Sequence, residues 1–207
     1  MITLSCAARS QSVADHIGSF VLQTILPSGY EEGLEMRLLL RSSQWKSYKE
    51  QIVDTTAMNM IYELSYALCN GRSKSALLAS GVAVLDHRSI PLRLPFGLVL
   101  NIPLTLESET RFQSRTSALP TYLYSATRED RDKLQHFFFS AYLKRVIGMS
   151  LFCKLIGNMT EVLEDAVVIG GANDNRDKHA NSDGVSFGLR SLEDEMALPS
   201  GSLSGNP

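Results

Sequence analysis

The sequence predicts an α+β fold, in which a small and mostly antiparallel sheet is packed by three main helices and followed by a disordered acidic C-terminal tail. Three patterns predict this fold. Apolar residues recur at three- and four-residue spacing over 12–26, 44–69 and 127–157, as on the buried face of a helix. They alternate with polar residues over 82–106, as in half-buried strands. From Gly170 onward this periodicity ends, and glycine and serine become frequent.

The first half of the chain supplies two of these helices and one strand. Pro27-Ser28-Gly29 ends the first helix, because proline lacks an N–H donor and glycine permits a tight turn. Residues 34–41 alternate between apolar and polar side chains and therefore predict a half-buried strand. The second helix, 44–69, is expected to stop at Asn70-Gly71, and residues 75–80 to add a short helical turn.

The centre of the chain is expected to form the sheet. Prolines within 82–106 cannot donate to a β ladder, so they predict edge strands or a break near Pro95-Phe96-Gly97. Residues 122–124 could add one more short strand. The polar stretch 107–119 is typical of a surface loop.

The third helix contains an uncharged stretch, Val146–Cys153, in its second half. A membrane-spanning helix needs about 20 apolar residues, so this stretch is too short to cross a bilayer. We interpret it as a buried helix end, with a surface helix that meets a membrane or a partner as the alternative.

The composition is that of a folded chain with an uneven charge. The 207 residues are 44% hydrophobic and 20% charged, which excludes a fully disordered protein. We predict one folded domain over 1–169 and a flexible acidic tail over 170–207. The formal net charge is −2, and the tail holds three cations and six anions. The rest of the chain is therefore almost neutral, which argues against bulk attraction to nucleic acid or anionic lipid.

No strong catalytic or metal-binding motif is present, so we expect a non-enzymatic protein without a metal or another cofactor. The three cysteines form no CxxC pair, and H-E-x-x-H is absent. Gly71–Ser75 lacks the spacing of a phosphate-binding loop, and Asn173–Asp177 lacks the glycine and glutamate of a calcium loop. Asp86 and His87 could transfer a proton in an unrecognised enzyme, but a polar turn explains them more simply.

Six cations flank the predicted sheet and could converge on one face that binds nucleic acid or a partner. Aromatic residues nearby would suit a nucleic-acid surface, whereas scattered solvated charges are the plainer interpretation. We call this set the cationic patch: Arg72, Lys74, Arg88, Arg93, Arg111 and Arg115.

The order of elements in residues 30–110 resembles that of the matrix proteins of rhabdoviruses. The resemblance lies in Leu34–Arg41, Gln44–Cys69, and His87-Arg88 through Pro95-Phe96-Gly97-Leu98 to Ile102–Leu106. It implies a small α+β protein without enzymatic activity that self-associates and bridges a nucleocapsid to a membrane. The chain departs from that family because it lacks a lysine- and proline-rich N-terminal arm and its predicted flexible segment is acidic. These departures put electrostatic membrane attachment in doubt.

The sequence thus predicts a structural or interaction protein, with a self-associating viral matrix-like component as the specific form. The alternative is an accessory protein that binds nucleic acid through the cationic patch. We expect a protein partner or self-association, and we retain nucleic acid and a peripheral membrane surface as alternatives. The first residues lack the apolar run of a signal peptide, so we expect an intracellular or virion-interior location and no transmembrane segment.

Overall fold

The computed structural model describes residues 27–93, 99–146 and 175–204, and this part of the chain is mostly helical. It contains seven helices, one two-stranded ribbon and a short 3-10 helix, Pro199–Ser202. The elements in chain order are α1 (Tyr30–Leu40), α2 (Ser43–Lys49), α3 (Asp54–Leu68), α4 (Ser73–Ala83), β1 (Ser89–Arg93), β2 (Val99–Pro103), α5 (Glu109–Thr116), α6 (131–146) and α7 (Asn175–Glu193).

The predicted α+β fold is wrong. The core consists of helices that pack on each other, and no sheet layer supports them in the described residues. β1 pairs with β2 in an antiparallel ribbon, with Ile90 opposite Ile102 and Leu92 opposite Leu100. The predicted break near Pro95-Phe96-Gly97 lies outside the described residues.

The segment predicted as the strand 34–41 belongs to helix α1. Met36 and Leu40 lie one turn apart and are fully buried, whereas Leu34 and Leu38 are exposed on another face. The alternating apolar residues of this segment therefore do not share one face: two of them lie in the core and two lie on the surface. Gly33 lets α1 lie close to α4, because a Cβ atom there would be 2.7 Å from the Cβ atom of Val82.

The predicted helix 44–69 is two helices, α2 and α3, separated by residues 50–53. Its predicted end is confirmed, because Asn70 and Gly71 have φ angles of 53° and 75°, which stop an α-helix. The short turn predicted at 75–80 is the eleven-residue helix α4, which also contains Val82 from the predicted sheet.

Two other predicted elements change in the second half of the chain. The predicted loop 107–119 contains helix α5, and residues 122–124 are not a strand. The predicted helix 127–157 is helical over 131–146, where Val146 is 44% exposed, and its remainder lies outside the described residues.

The prediction of a disordered tail is also wrong, because residues 175–193 form α7. Its buried residues follow one helical stripe, and Phe187 on that stripe is fully buried. The Phe187 ring stacks on Phe137 of α6 with centroids 5.6 Å apart and meets Tyr62 of α3 edge-on at 5.0 Å. α7 is therefore part of the core. The predicted helix 12–26 and the predicted domain boundary at 169–170 lie outside the described residues.

Candidate functional site

Arg115 of the predicted cationic patch is fully buried. It lies on α5, and its Nη1 atom donates hydrogen bonds to the carbonyl oxygens of Ala83 at 2.9 Å and Leu85 at 2.8 Å. These carbonyls end α4, where helix geometry leaves acceptors without partners and partial negative charge accumulates. Arg115 is therefore a buried cap for a helix C-terminus.

Glu107 is the counter-ion that three arginines share. Its Oε2 atom accepts hydrogen bonds from Nε and Nη2 of Arg115 at 3.0 and 2.8 Å, and its Oε1 atom accepts one from Arg41. Nη1 of Arg37 lies 3.7 Å from Oε2, and Nε of Arg37 donates to the carbonyl oxygen of Val82 at 2.8 Å. The cluster thus joins α1 and α5 to the end of α4.

The pKa values in this cluster follow from burial and from the excess of three arginines over one glutamate. Burial, together with the neighbouring charge of Arg115, lowers the pKa of Arg37 to about 10. Burial alone would raise the pKa of Glu107, but the hydrogen bonds and charges of the arginines outweigh it and lower that pKa. The carboxylate form of Glu107 is therefore the form that the fold stabilises.

The other members of the cationic patch lie in different places. Arg88 donates to Glu109 at 2.6 Å and to the carbonyl oxygen of Glu107 at 2.8 Å, and its guanidinium carbon is 6.0 Å from the centroid of the Phe112 ring. Arg111 is exposed on α5, and Arg93 is the last residue of β1. Arg88 comes just before β1 in the chain, and its contact with Phe112 places it beside α5.

Arg72 and Lys74 lie at the other end of α4. Both are exposed, and Arg72 is 3.6 Å from Glu32 of α1. An eleven-residue helix is about 16 Å long, so α4 separates this pair from the Arg115 end by roughly that distance. The structure therefore brings Arg88, Arg111 and Arg115 together around α5 and places Arg72 and Lys74 apart from them.

Asp86 and His87, the candidates for proton transfer, both contact Gln135 of α6. The Asp86 N–H donates to Gln135 Oε1 at 3.1 Å, and Gln135 Nε2 lies 3.0 Å from Nδ1 of His87. Burial raises the pKa of Asp86. These contacts hold the start of the 86–88 segment on α6, and the segment connects helix α4 to β1.

An apolar cleft lies between α1 and α3, and the sequence-based reasoning missed it. We call it the α1–α3 cleft; its volume is about 120 Å³, and it is lined by Leu39, Leu64, Ala67 and Leu68. On α1, Leu34 is 40% exposed and Leu38 is 59% exposed. Their spacing of one helical turn was the available signal that this segment is a helix, but it was assigned to a strand.

The surface around the cleft is acidic. Glu35 is exposed on α1 between Leu34 and Leu39, and Glu63 is exposed on α3 one turn before Ala67. Two exposed cations follow α3 in the chain: Arg72, which is 3.6 Å from Glu32, and Lys74. One carboxylate therefore stands on each wall of an otherwise aliphatic cleft.

Across residues 27–93, 99–146 and 175–204, no helix is long and apolar enough to span a bilayer, and no group of His, Cys, Asp and Glu is arranged to hold a metal ion. No protein-family model, curated protein or solved structure matches the chain.

Proposed function

We propose that this chain is a non-enzymatic interaction protein that binds another protein through the α1–α3 cleft. One observation carries the proposal: among the described residues, the side chains that line the cleft are aliphatic. An apolar side chain of another protein that enters this cleft would be removed from water, which favours binding.

A self-associating, matrix-like role in a virion is a narrower form of this proposal. It depends on a resemblance that includes Leu34–Arg41 as a strand, and that segment lies in helix α1. We therefore base the proposed function on the cleft and treat a second copy of the chain as one outcome of its test.

The test fills the cleft without disturbing the core. Ala67 is exposed on α3, so Ala67→Met places a longer side chain in the cleft, and Ala126→Met makes the same change at an exposed position in the loop before α6. Binding of a fluorescent helical peptide with leucines at helical spacing and glutamines elsewhere is followed by polarisation. Sedimentation velocity measures self-association of the same samples.

We expect Ala67→Met to weaken binding of the peptide at least threefold, and Ala126→Met to leave it unchanged. If Ala67→Met instead abolishes self-association, the cleft is an interface between copies of this chain. Equal peptide binding and equal sedimentation for both variants and the original chain would contradict the proposed function.

Nucleic-acid binding is a second candidate, favoured by two exposed arginines at α5: Arg111 lies on that helix, and Arg88 lies against its Phe112 ring. The double variant Arg88→Gln/Arg111→Gln should weaken binding of single-stranded RNA and reduce its salt dependence, because phosphate contacts release counterions. Arg128→Gln, an exposed arginine before α6, is the matched control. No binding of RNA or DNA at low salt would exclude this candidate.

A further inference from the structure

The charges around the α1–α3 cleft indicate what kind of partner fits it. On a helix, residues three and four apart are neighbours, with Cβ atoms about 5–6 Å apart. Glu35 therefore lies next to Leu38 and Leu39, and Glu63 lies next to Ala67. A ligand seated in the cleft has a carboxylate on either side of it.

The size of the cleft limits what enters it. A cavity of about 150 Å³ lined by apolar residues accommodates benzene, so a cleft of about 120 Å³ accepts one leucine-sized side chain. A partner with one inserted apolar side chain and charged residues beside it matches this site. An amphipathic helix presents apolar and charged residues in that way.

We propose that the α1–α3 cleft binds an amphipathic helix of a partner protein that carries lysine or arginine on both sides of a leucine-sized anchor. This inference rests on the proposed function and specifies its partner. The anchor fills the space between Leu39, Leu64 and Leu68, and the flanking cations pair with Glu35 and Glu63. Complementary charge of this kind speeds association and selects the partner.

The same charges argue against two other occupants. If this surface formed a two-fold dimer, Glu35 and Glu63 of each copy would face a surface that carries the same two carboxylates. An anionic membrane would be repelled by Glu35 and Glu63 in the same way. A basic amphipathic helix is the occupant that both the apolar lining and the two carboxylates attract.

The experiment compares three helical peptides with the full-length chain. All three have leucines at the same positions, and the remaining positions are lysine, glutamine or glutamate. We expect the lysine peptide to bind about tenfold more tightly than the glutamine peptide at low salt, and the glutamate peptide to bind most weakly. The advantage of lysine should shrink as salt rises, because exposed charges are screened.

Charge reversal at Glu35 and Glu63 tests directly whether these two residues select a basic partner. Glu35→Lys/Glu63→Lys should weaken binding of the lysine peptide three- to tenfold and strengthen binding of the glutamate peptide. The control Glu129→Lys/Glu193→Lys makes the same change in net charge at exposed positions that do not line the cleft, and it should leave the order of the three peptides as it is.

The outcomes separate this inference from the proposed function. If all three peptides bind equally and Ala67→Met weakens them all, the cleft binds proteins but the basic partner is wrong. If no peptide binds and Ala67→Met abolishes self-association, the occupant is a second copy and the inference is overturned. If anionic vesicles bind in a way that Ala67→Met abolishes, the occupant is a membrane, and the inference is likewise overturned.

Discussion

Gly184 of α7 packs directly against the backbone of Phe137 in α6. A Cβ atom at Gly184 would overlap the carbonyl oxygen of Phe137 and lie 2.9 Å from its carbonyl carbon. One turn later, a Cβ atom at Gly188 would lie 2.7 Å from the carbonyl oxygen of Ala141. The two helices therefore approach each other at glycines, which places the Phe187 ring between Phe137 and Tyr62.

Gly184→Ala should destabilise the fold, because the added methyl group meets backbone that moves only together with a helix. Overpacking of this kind costs about 1–3 kcal/mol. Urea unfolding monitored by circular dichroism measures the change as a lower midpoint. Gly201→Ala is the control, since its Cβ would meet only the flexible end of Arg190, and it should stay within about 0.5 kcal/mol. An unchanged midpoint for Gly184→Ala would show that α7 does not pack in this way.

The glycines of α7 also explain why sequence reasoning assigned this region to a disordered tail. The buried positions of α7 include Ala180, Gly184, Phe187 and Gly188, which have helical spacing. Most of them are small, so a search for large apolar residues finds no stripe. Their burial depends on the backbone of α6, which is distant in sequence, and no local pattern reports such a close approach.

Glu107→Gln should destabilise the protein strongly, because it keeps the shape of the side chain but leaves Arg37, Arg41 and Arg115 without their shared counter-ion. Removal of one partner of a buried ion pair costs about 3–5 kcal/mol. The free energy of unfolding in urea measures the loss. Glu129→Gln removes an exposed carboxylate that contacts Arg131 and should cost less than about 1 kcal/mol.

The same carboxylate should contribute to acid sensitivity. The pKa of Glu107 is lowered in the folded state, so its stabilisation is complete above its unfolded pKa and is lost as the pH falls through the folded pKa. Glu107→Gln should therefore show a smaller decrease of stability below pH of about 4.3, the ordinary glutamate pKa. If stability decreases with falling pH to the same extent in the variant and the original chain, this role of Glu107 is contradicted.

Arg115 shows the limit of reading charges from a sequence. The stretch 107–119 is polar, and Arg115 was expected on the surface. Its acceptors, Ala83 and Leu85, lie about thirty residues earlier in the chain, and only the packing of α5 on the end of α4 brings them together. The α1–α3 cleft could not be predicted for the same reason, since it forms only when α1 is a helix that packs beside α3. Elements with local signals, such as the stop at Asn70-Gly71, were predictable.

His136 should make the protein less stable in mild acid. Burial lowers the pKa of His136, although the carboxylates of Asp177 and Asp132 partly oppose the shift. A lowered pKa means that the folded state binds the proton less well than the unfolded state. The stabilisation is therefore complete above the unfolded pKa of about 6.5 and is lost as the pH falls from there through the folded pKa.

The variant His136→Gln should remove this part of the pH dependence. Urea midpoints at pH values above and below about 6.5 should differ less for the variant than for the original chain. His179→Gln, which changes an exposed histidine on α7, is the control and should retain the original dependence. If His136→Gln and His179→Gln behave alike, the proton that destabilises the fold binds elsewhere.

Asp54 should be the residue that holds the chain between α5 and α6 in place. Its Oδ2 atom accepts hydrogen bonds from the N–H groups of Thr121 and Tyr122 at 2.9 and 2.7 Å, and Lys49 Nζ lies 2.9 Å from Oδ1. Asp54→Ala leaves two backbone donors without their acceptor, which should cost about 1–3 kcal/mol. Lys49→Ala removes only a partly exposed ion pair and should cost less than about 1 kcal/mol.

Amide hydrogen exchange locates the effect: Thr121 and Tyr122 should exchange faster in Asp54→Ala and keep their protection in Lys49→Ala. Unchanged exchange at both amides in Asp54→Ala would contradict this role.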